Sequence, residues 1–199
     1  MLKEFCIWLD VFILLGFTAR YVYVIKTNKN IQPTLSTWII FLLGTSLSLT
    51  TYLLAEHHDF RSGILNTVDV ISVIITLCSI LVWGNRTIRL HAFEKWYLAG
   101  AASIVIYGLY TGNAYHSNLF TQLLITFGYA PSVQKMLKEK RNMESFSAWS
   151  FSLLAGFIGL VPALIDGNTL AFIYAFRTIV CVSSFMLLMW YFHKPPINE

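Results

Sequence analysis

The stretch from Ala130 to Gly156 reads APSVQKMLKEKRNMESFSAWSFSLLAG: the end of one apolar run, a short basic segment and the start of another apolar run. A weaker copy lies upstream, where Thr34 to Trp38 (TLSTW) enters its apolar run as Ser145 to Trp149 (SFSAW) does. Trp149 follows Trp38 by 111 residues. The same offset pairs Ala19 with Ala130, Lys29 with Lys140, and Leu42-Leu43 with Leu153-Leu154. The sequence therefore predicts a duplicated unit.

Composition places the chain in a lipid bilayer. Of its 199 residues, 56% are hydrophobic and 12% are charged, whereas a soluble domain carries about 25% charged residues. The net charge of +4 comes from short loops between apolar runs, which predicts no nucleic-acid surface. Cys6, Cys78 and Cys181 lie inside apolar runs and predict no disulfide framework. The first run carries Asp10 and Arg20 and no small-residue cleavage site, so we interpret it as a retained span.

Seven segments approach the roughly 20 apolar residues that a spanning helix needs. They are Phe5–Ile25, Ser36–Ala55, Gly63–Trp83, Phe93–Thr111, Asn118–Met136, Ser147–Ile165 and Asn168–Phe192. The fourth is one of the three shortest, at 19 residues. Trp38 and Trp149 stand at the starts of their spans, where an aromatic belt at the membrane interface would explain both.

Loop charges predict the orientation, because Lys and Arg are retained on the cytoplasmic side. The loops after spans one, three and five and the C-terminal tail hold nine: Lys26, Lys29, Arg86, Arg89, Lys95, Lys138, Lys140, Arg141 and Lys194. The opposite side holds only two, Lys3 and Arg61. We therefore expect the N-terminus outside and the C-terminus in the cytoplasm. The short tails and loops favour a bacterial inner membrane, and a lysosomal protein would look similar.

A repeat that starts at spans one and five predicts three spans, then one, then three. The predicted units are a first triple-helix bundle over residues 1–90, a linker helix over 91–113 and a second bundle over 114–199. The single linking span gives both bundles the same orientation. Transporters with such parallel repeats bind their substrate near the midplane, between the repeats.

The second repeat resembles the motif of the PQ-loop superfamily. The matching residues are Pro131 and Gln134 near the end of a span, Lys138 and Lys140, and then Glu144-Ser145-Phe146-Ser147. That superfamily includes the SWEET and SemiSWEET sugar transporters, cystinosin-like amino-acid exporters and, more distantly, the KDEL receptor. The resemblance implies a SWEET-like, all-α membrane protein with seven transmembrane helices. It further implies a uniporter or a proton-coupled carrier with a central pocket between two bundles and no other cofactor.

The first repeat departs from this motif. Arg20 stands at the position equivalent to Pro131, and Tyr23 at that of Gln134. A proline inside a helix removes a backbone hydrogen bond and permits a kink. The hinge role that the resemblance implies is therefore assigned to Pro131, with Gln134 as its motif partner, and not to Arg20.

Two spans carry polar stripes at helical spacing. The third span contributes Asn66, Asp69, Ser72, Thr76 and Ser79, and the seventh contributes Tyr174, Arg177, Cys181 and Ser184. Pairing Trp83 with Trp190 places Asp69 one residue from the position of Arg177. If the stripes face each other across a pocket, Asp69 and Arg177 are expected at similar depth.

Ionisable residues inside a span are costly, so each is a functional candidate. Asp69 and Arg177 are predicted to hold a polar or zwitterionic solute, or Asp69 carries a coupling proton. The structural alternative is an ion pair that offsets the desolvation of both charges. Asn66 favours a sugar, because the resemblance implies that an asparagine of the third span forms hydrogen bonds with sugar hydroxyls. Arg177 instead suits a carboxylate or phosphate, so a sugar and an amino acid both stay open.

Asp10 in span one and Gln122 in span five are separated by nearly the repeat offset. Both are candidates either for lining the pocket or for bracing the bundle by interhelical hydrogen bonds. The alternatives are balanced for Asp10, whereas bracing is favoured for Gln122.

No catalytic pattern stands in the sequence: it has no Gly-rich phosphate loop, Cys/His cluster or plausible Ser/His/Asp set. We therefore expect neither an enzyme nor a metal site. The leading hypothesis is a small-solute carrier working by alternating access, with the lipid bilayer and the solute as its partners and a homo-oligomer left open. The alternative is a non-transporting membrane receptor of KDEL-receptor-like plan, in which Arg177 binds a peptide's carboxylate.

Overall fold

A computed structural model describes residues 1–55, 61, 63–84 and 92–193. These residues form eight α-helices and no strand. The helices are α1 (Leu2–Thr27), α2 (Leu35–Ala55), α3 (Ile64–Trp83), α4 (Ala92–Thr111), α5 (Ala114–Phe127), α6 (Ala130–Glu139), α7 (Phe146–Asp166) and α8 (Thr169–Tyr191). The boundary predicted at residues 90/91 and the loop charges Arg86, Arg89 and Lys194 lie outside the described ranges.

Five helices are long and apolar enough to cross a membrane: α1, α2, α3, α7 and α8. A helix suits this setting because all its backbone groups bond within the segment, and lipid offers them no other partner. Many large apolar side chains face outward, among them Leu54, Ile106 and Leu187, each more than 60% exposed. These features are those of an all-helical, multi-pass membrane protein, as the composition predicts.

The fourth and fifth predicted spans differ from the other five. α4 covers the predicted fourth span but is less apolar than the five candidate spans. The predicted continuous span Asn118–Met136 is divided into α5 and α6 by a turn at Gly128 and Tyr129. Pro131 explains the division, because it lacks the amide hydrogen that would bond to the Phe127 carbonyl and continue α5. Pro131 instead occupies the first turn of α6, where no such hydrogen bond is needed.

Seven of the eight helices form a closed ring, in which α5 and α6 together occupy one position. α3 packs against both α1 and α2, and α8 packs against α7 on one side and α5 and α6 on the other. The two groups, α1 to α3 and α5 to α8, meet mainly where α1 packs against α7 and where α2 packs against α5 and α6, with smaller contacts of α3 to α7 and α8. α4 lies outside this ring, on α5 and α2. The ring order is therefore α1, α3, α2, α5 with α6, α8 and α7.

Aromatic side chains fill the interior of the helix ring near the C-terminus of α1 and the N-terminus of α7. Trp38 and Trp149 are both buried, with ring centroids 6.2 Å apart. Tyr21 packs on Trp38 at 5.0 Å, and Phe185 on Trp149 at 5.1 Å. The prediction that the two tryptophans belong to an interfacial aromatic belt is therefore wrong. The repeat brings them together at the contact between the two helix groups instead.

The close approach of α2 to α5 depends on Gly44. A Cβ atom at Gly44 would lie 2.7 Å from Ile125 Cγ1 and 2.7 Å from Tyr97 Oη. We expect Gly44→Val to lower the free energy of unfolding by about 1–3 kcal/mol, the usual cost of overpacking. Thermal unfolding of the detergent-solubilised protein, followed by circular dichroism, measures this change.

Gly16→Ala is the matched control at the other contact between the groups. A Cβ atom at Gly16 would lie 3.4 Å from the Phe151 ring, which is ordinary van der Waals contact. This variant should unfold at the wild-type temperature or slightly above it. Equal unfolding temperatures for Gly44→Val and Gly16→Ala would contradict the packing described here.

Candidate functional site

A small cavity of about 30 Å³ lies inside the ring of helices. Its described lining comprises Phe17, Trp38, Phe41, Thr45, Asp69, Val73, Ile125, Tyr129, Trp149, Ser152, Arg177 and Thr178. Every ring helix except α6 contributes at least one side chain. Asp69 and Arg177 are the only charged residues among these lining residues. The cavity thus presents one negative and one positive group in an otherwise mostly apolar and aromatic wall.

Tyr174 connects the two charged groups. Its hydroxyl donates a hydrogen bond of 2.6 Å to Asp69 Oδ2. The guanidinium carbon of Arg177 lies 4.6 Å from the centre of the same ring, within cation–π distance. No ion pair of 4.0 Å or less joins the described Asp69 and Arg177 directly. The structure therefore brings both residues to one cavity, as two separate charges with an aromatic ring between them.

Gln122 on α5 fixes the orientation of Arg177. Arg177 Nε donates to Gln122 Oε1 at 3.0 Å, and Arg177 Nη2 donates to Thr178 Oγ1 at 3.3 Å. Arg177 Nη1 makes no hydrogen bond to a described residue. The guanidinium is thus held in place while part of its donor capacity stays available to a bound group.

Ser48 on α2 joins the remaining polar residues to Gln122. Its hydroxyl accepts hydrogen bonds from Gln122 Nε2 at 2.8 Å and from Asn66 Nδ2 at 3.0 Å. Asn118 adds a bond from its Nδ2 to the Ser48 carbonyl at 2.8 Å and accepts one from Gln122 at 3.0 Å. A continuous network therefore runs from Asn66 on α3 through α2 and α5 to Arg177 on α8. Gln122 makes the interhelical bonds that the bracing interpretation requires.

Asp10 stands apart from this network. Its side chain is 0% exposed, and neither carboxylate oxygen has a hydrogen-bond partner among the described residues. Oδ2 lies close to α7, 3.4 Å from where a Cβ atom at Gly159 would be. Asp10 does not line the central cavity. Five of the six predicted binding residues are thus connected by contacts, and the sixth is isolated.

A second buried carboxylate, Glu144, lies between α6 and α7. It accepts hydrogen bonds from the Tyr21 hydroxyl, from Ser132 Oγ at 3.2 Å and from Trp149 Nε1 at 3.2 Å. Ser132 Oγ also lies 3.0 Å from Thr37 Oγ1 on α2. Burial raises the pKa of the Glu144 carboxyl, although these hydrogen bonds oppose the rise. Trp149 lines the cavity, so the Glu144 cluster lies directly beside it.

Three further contacts join the two helix groups at this end. Lys135 Nζ donates to the Gln32 carbonyl at 2.8 Å, and Gln32 N donates to the Met143 carbonyl at 3.0 Å. Arg20 Nε donates to Ser147 Oγ at 3.0 Å. Together with the Glu144 cluster and the tryptophan pair, these bonds close the cavity at the ends of α1 and α6.

The two predicted motif residues have different environments. Pro131 is buried at the start of α6, where the helix axis is interrupted. Gln134 is exposed and makes no hydrogen bond to a described residue. Sequence reasoning gave Ser48 no role in the site, since a serine in an apolar run is an ordinary feature, and it named Glu144 only as part of the motif, without a role of its own.

The arrangement can bind a small molecule that carries groups of opposite charge. The Arg177 donors suit a carboxylate, and the Asp69 oxygens suit an ammonium or hydroxyl group. The aromatic wall supplies apolar contact for the rest of such a molecule. No protein-family model, curated protein or solved structure matches the chain.

Gln122→Leu tests whether the network holds Arg177. It removes the acceptor of Arg177 Nε in a buried setting, and an unsatisfied buried donor costs about 1–3 kcal/mol. We expect the unfolding temperature in detergent to fall accordingly. Gln134→Leu is the matched control, because Gln134 is exposed and outside the network, and it should leave the unfolding temperature unchanged. An unfolding temperature for Gln122→Leu as high as that of this control would refute the bracing role.

Glu144→Gln tests the buried carboxylate through the pH dependence of stability. The folded-state pKa of Glu144 lies above its ordinary value of 4.5. Its contribution is therefore fully present below about pH 4.5 and is lost as the pH rises through the folded-state pKa. Wild-type protein should lose stability relative to Glu144→Gln over that rise, as measured by thermal unfolding at a series of pH values.

The control for this titration is Glu139→Gln. Glu139 is a surface residue of α6 whose Oε2 lies 3.6 Å from Arg141 Nε. Its curve should run parallel to that of the wild type. A parallel curve for Glu144→Gln as well would show that Glu144 does not change its proton binding on folding.

Proposed function

We propose that the protein is an integral-membrane carrier for a small polar solute that works by alternating access on a SWEET-like, seven-span plan. In this plan α1 to α3 form one triple-helix bundle, α4 is the linker, and α5 with α6, α7 and α8 form the other. The observation that carries the proposal is the cavity between the two bundles, with Asp69 and Arg177 in its wall.

The packing pattern supports a parallel repeat. In each group the helix that comes last in the sequence packs between the others: α3 between α1 and α2, and α8 between α7 and the pair α5 and α6. The first helix of one group packs on the second helix of the other in both cases, α1 on α7 and α5 on α2. Exchanging the two groups therefore reproduces the main contacts around the ring. Repeats related in this way by an axis along the membrane normal occur in known transporters.

The lengths of the remaining helices are compatible with seven crossings. α4 has 20 residues, about 30 Å at the helical rise, which matches the hydrocarbon thickness. α5 and α6 have 14 and 10 residues, and together they also reach across. With the Lys and Arg bias of the loops, this plan puts the N-terminus outside and the C-terminus in the cytoplasm of a bacterial cell.

The cavity favours an amino acid or similar zwitterion over a sugar. Arg177 and Asp69 are separated by Tyr174 instead of neutralising each other directly, so each charge can meet its counterpart on a solute. Asn66 does not line this cavity, and its Nδ2 is bonded to Ser48. The cavity measures about 30 Å³ in this conformation, which is room for water but not for a solute, so in this proposal it enlarges when the solute binds.

The Glu144 cluster supplies the gate in this proposal. It joins α1, α6 and α7, and so bridges both bundles at the predicted cytoplasmic end. Passage of a solute toward the cytoplasm requires these bonds to break. The present conformation is then one with the inner gate closed.

The experiment begins with a thermal-unfolding screen of the purified protein against amino acids, sugars and vitamins. A ligand of the folded state raises the free energy of unfolding, by about 2.7 kcal/mol at a hundred times its dissociation constant. The best stabiliser is then used in labelled form for uptake into proteoliposomes. We expect saturable uptake by the wild type and loss of at least ten-fold in both Asp69→Asn and Arg177→Gln.

Arg141→Gln is the control, because this exposed arginine lies outside the cavity, and it should transport like the wild type. Uptake at the wild-type rate by both cavity variants would remove Asp69 and Arg177 from the mechanism. Stabilisation by a carboxylate ligand without any flux would instead identify the receptor alternative.

A further inference from the structure

Among the described residues, buried oxygen atoms without a hydrogen-bond partner belong to two helices that pack against each other. Six buried side-chain atoms lack a partner among the described residues, and five of them are oxygens. All five belong to α1 or α3: Asp10 Oδ1, Asp10 Oδ2, Asn66 Oδ1, Ser72 Oγ and Thr76 Oγ1. α1 and α3 pack against each other. Unpaired buried acceptors are rare in a protein interior, and Asp10 is the only residue of this set whose unpaired oxygens can carry a charge.

Asp10 is the strongest acceptor in this group. It is 0% exposed and both of its oxygens are unpartnered. α7 presents Gly159 to it, which has no side chain to donate a hydrogen bond. α3 presents Asp69, a second carboxylate. Asp166 is the only ionisable residue of α7. It lies at the far end of that helix and forms an ion pair of 2.7 Å with Lys3.

The nearby positive charge is already engaged. Arg177 is bonded to Gln122 and lies over Tyr174, whose hydroxyl holds Asp69. Asp10 and Asp69 are two neighbouring carboxylates, and Asp10 has no hydrogen bond to Arg177 or to any other described residue. A buried carboxylate without a partner is strongly disfavoured as a bare anion. One further positive charge is required at Asp10.

We propose that Asp10 is the binding site of a hard monovalent cation, a proton or Na⁺, that is coupled to solute movement. Hard cations prefer oxygen ligands, and both carboxylate oxygens of Asp10 are unpartnered. A proton would convert Asp10 to the neutral acid, and Na⁺ would neutralise it by coordination. Either ion is held apart from the solute cavity, whose lining does not include Asp10.

The position of Asp10 provides a means of coupling. It lies at the contact of α1 with α7, between the two helix groups, and close to Gly159. Movement of one group against the other alters this contact and therefore the surroundings of the carboxylate. The coupling role rests on the proposed transport function, whereas the binding of the cation does not.

Two measurements on the full-length protein in detergent test the binding and identify the ion. The first compares thermal unfolding in NaCl with that in choline chloride at equal ionic strength. The second records the infrared carbonyl band of a protonated carboxylic acid at neutral pH. If the ion is Na⁺, we expect NaCl to raise the unfolding temperature of the wild type. If it is a proton, we expect the acid band and no effect of NaCl.

Asp10→Asn should abolish whichever signal is found, since the amide is neutral and nearly isosteric. Asp166→Asn is the matched control on an aspartate that has its own ion-pair partner, and it should retain the signal. Should Asp10→Asn fail to fold, Asp10→Glu and isotopic labelling of aspartate in the wild type replace it. If Asp10 holds a proton, the carboxylic-acid band must shift when aspartate is labelled and must change frequency in Asp10→Glu. If Asp10 holds Na⁺, the dependence of the unfolding temperature on Na⁺ must change in Asp10→Glu.

Absence of both signals in the wild type, or an acid band and an ion dependence in Asp10→Asn identical to those of the wild type, would overturn the proposal. These readouts need no solute, so they separate the two proposals. A cation signal at Asp10 in a protein that moves no solute would refute the transport function alone. Solute uptake by a protein without either signal would refute the cation site alone.

Discussion

A guanidinium inside a lipid-embedded helix bundle needs acceptors from neighbouring helices, and this requirement shapes the interior around Arg177. The side chain lies on α8, its Nε bonds to Gln122 on α5, and Gln122 in turn bonds to Ser48 on α2. The hydrogen bond from Gln122 to Ser48 crosses between the two helix groups. Because lipid supplies no alternative partner, separating the groups at this level would leave buried polar atoms unpaired. The polar network therefore fixes the depth at which the groups meet.

The same constraint divides the interior into a cavity and a closed end. At the cavity, Tyr174 separates Asp69 from Arg177 by bonding one and stacking under the other. At the closed end, aromatic rings and the Glu144 cluster fill the space between the groups. An alternating-access cycle needs both kinds of contact, since one region must bind solute while the other opens. The apolar outer surface can stay in lipid during such a motion.

Periodicity predicted much of this arrangement because membrane helices obey simple rules. Five spans and the stripe containing Asp69 follow from length, hydropathy and helical spacing, and Asp69 and Arg177 do reach one cavity. The break between α5 and α6 was harder to predict from the sequence, since Pro131 is as compatible with a kink as with the start of a new helix. The burial of Trp38 and Trp149 was missed because tryptophan at a span end normally marks the interface. Ser48 carried no signal of its own and Glu144 only its place in the motif, because the contacts of both include partners distant in sequence.

A water-accessible cavity inside a lipid-exposed ring of helices is the central feature of this structure, and thiol labelling tests for that cavity most directly. In a cysteine-free background, Ser152→Cys places a thiol on the cavity side of α7, whereas Phe157→Cys places one on its exposed apolar side. A membrane-impermeant thiol reagent, applied to each face of sealed vesicles, should modify the first variant from at least one face and leave the second unmodified. Modification of the second variant alone, or of neither, would contradict the account.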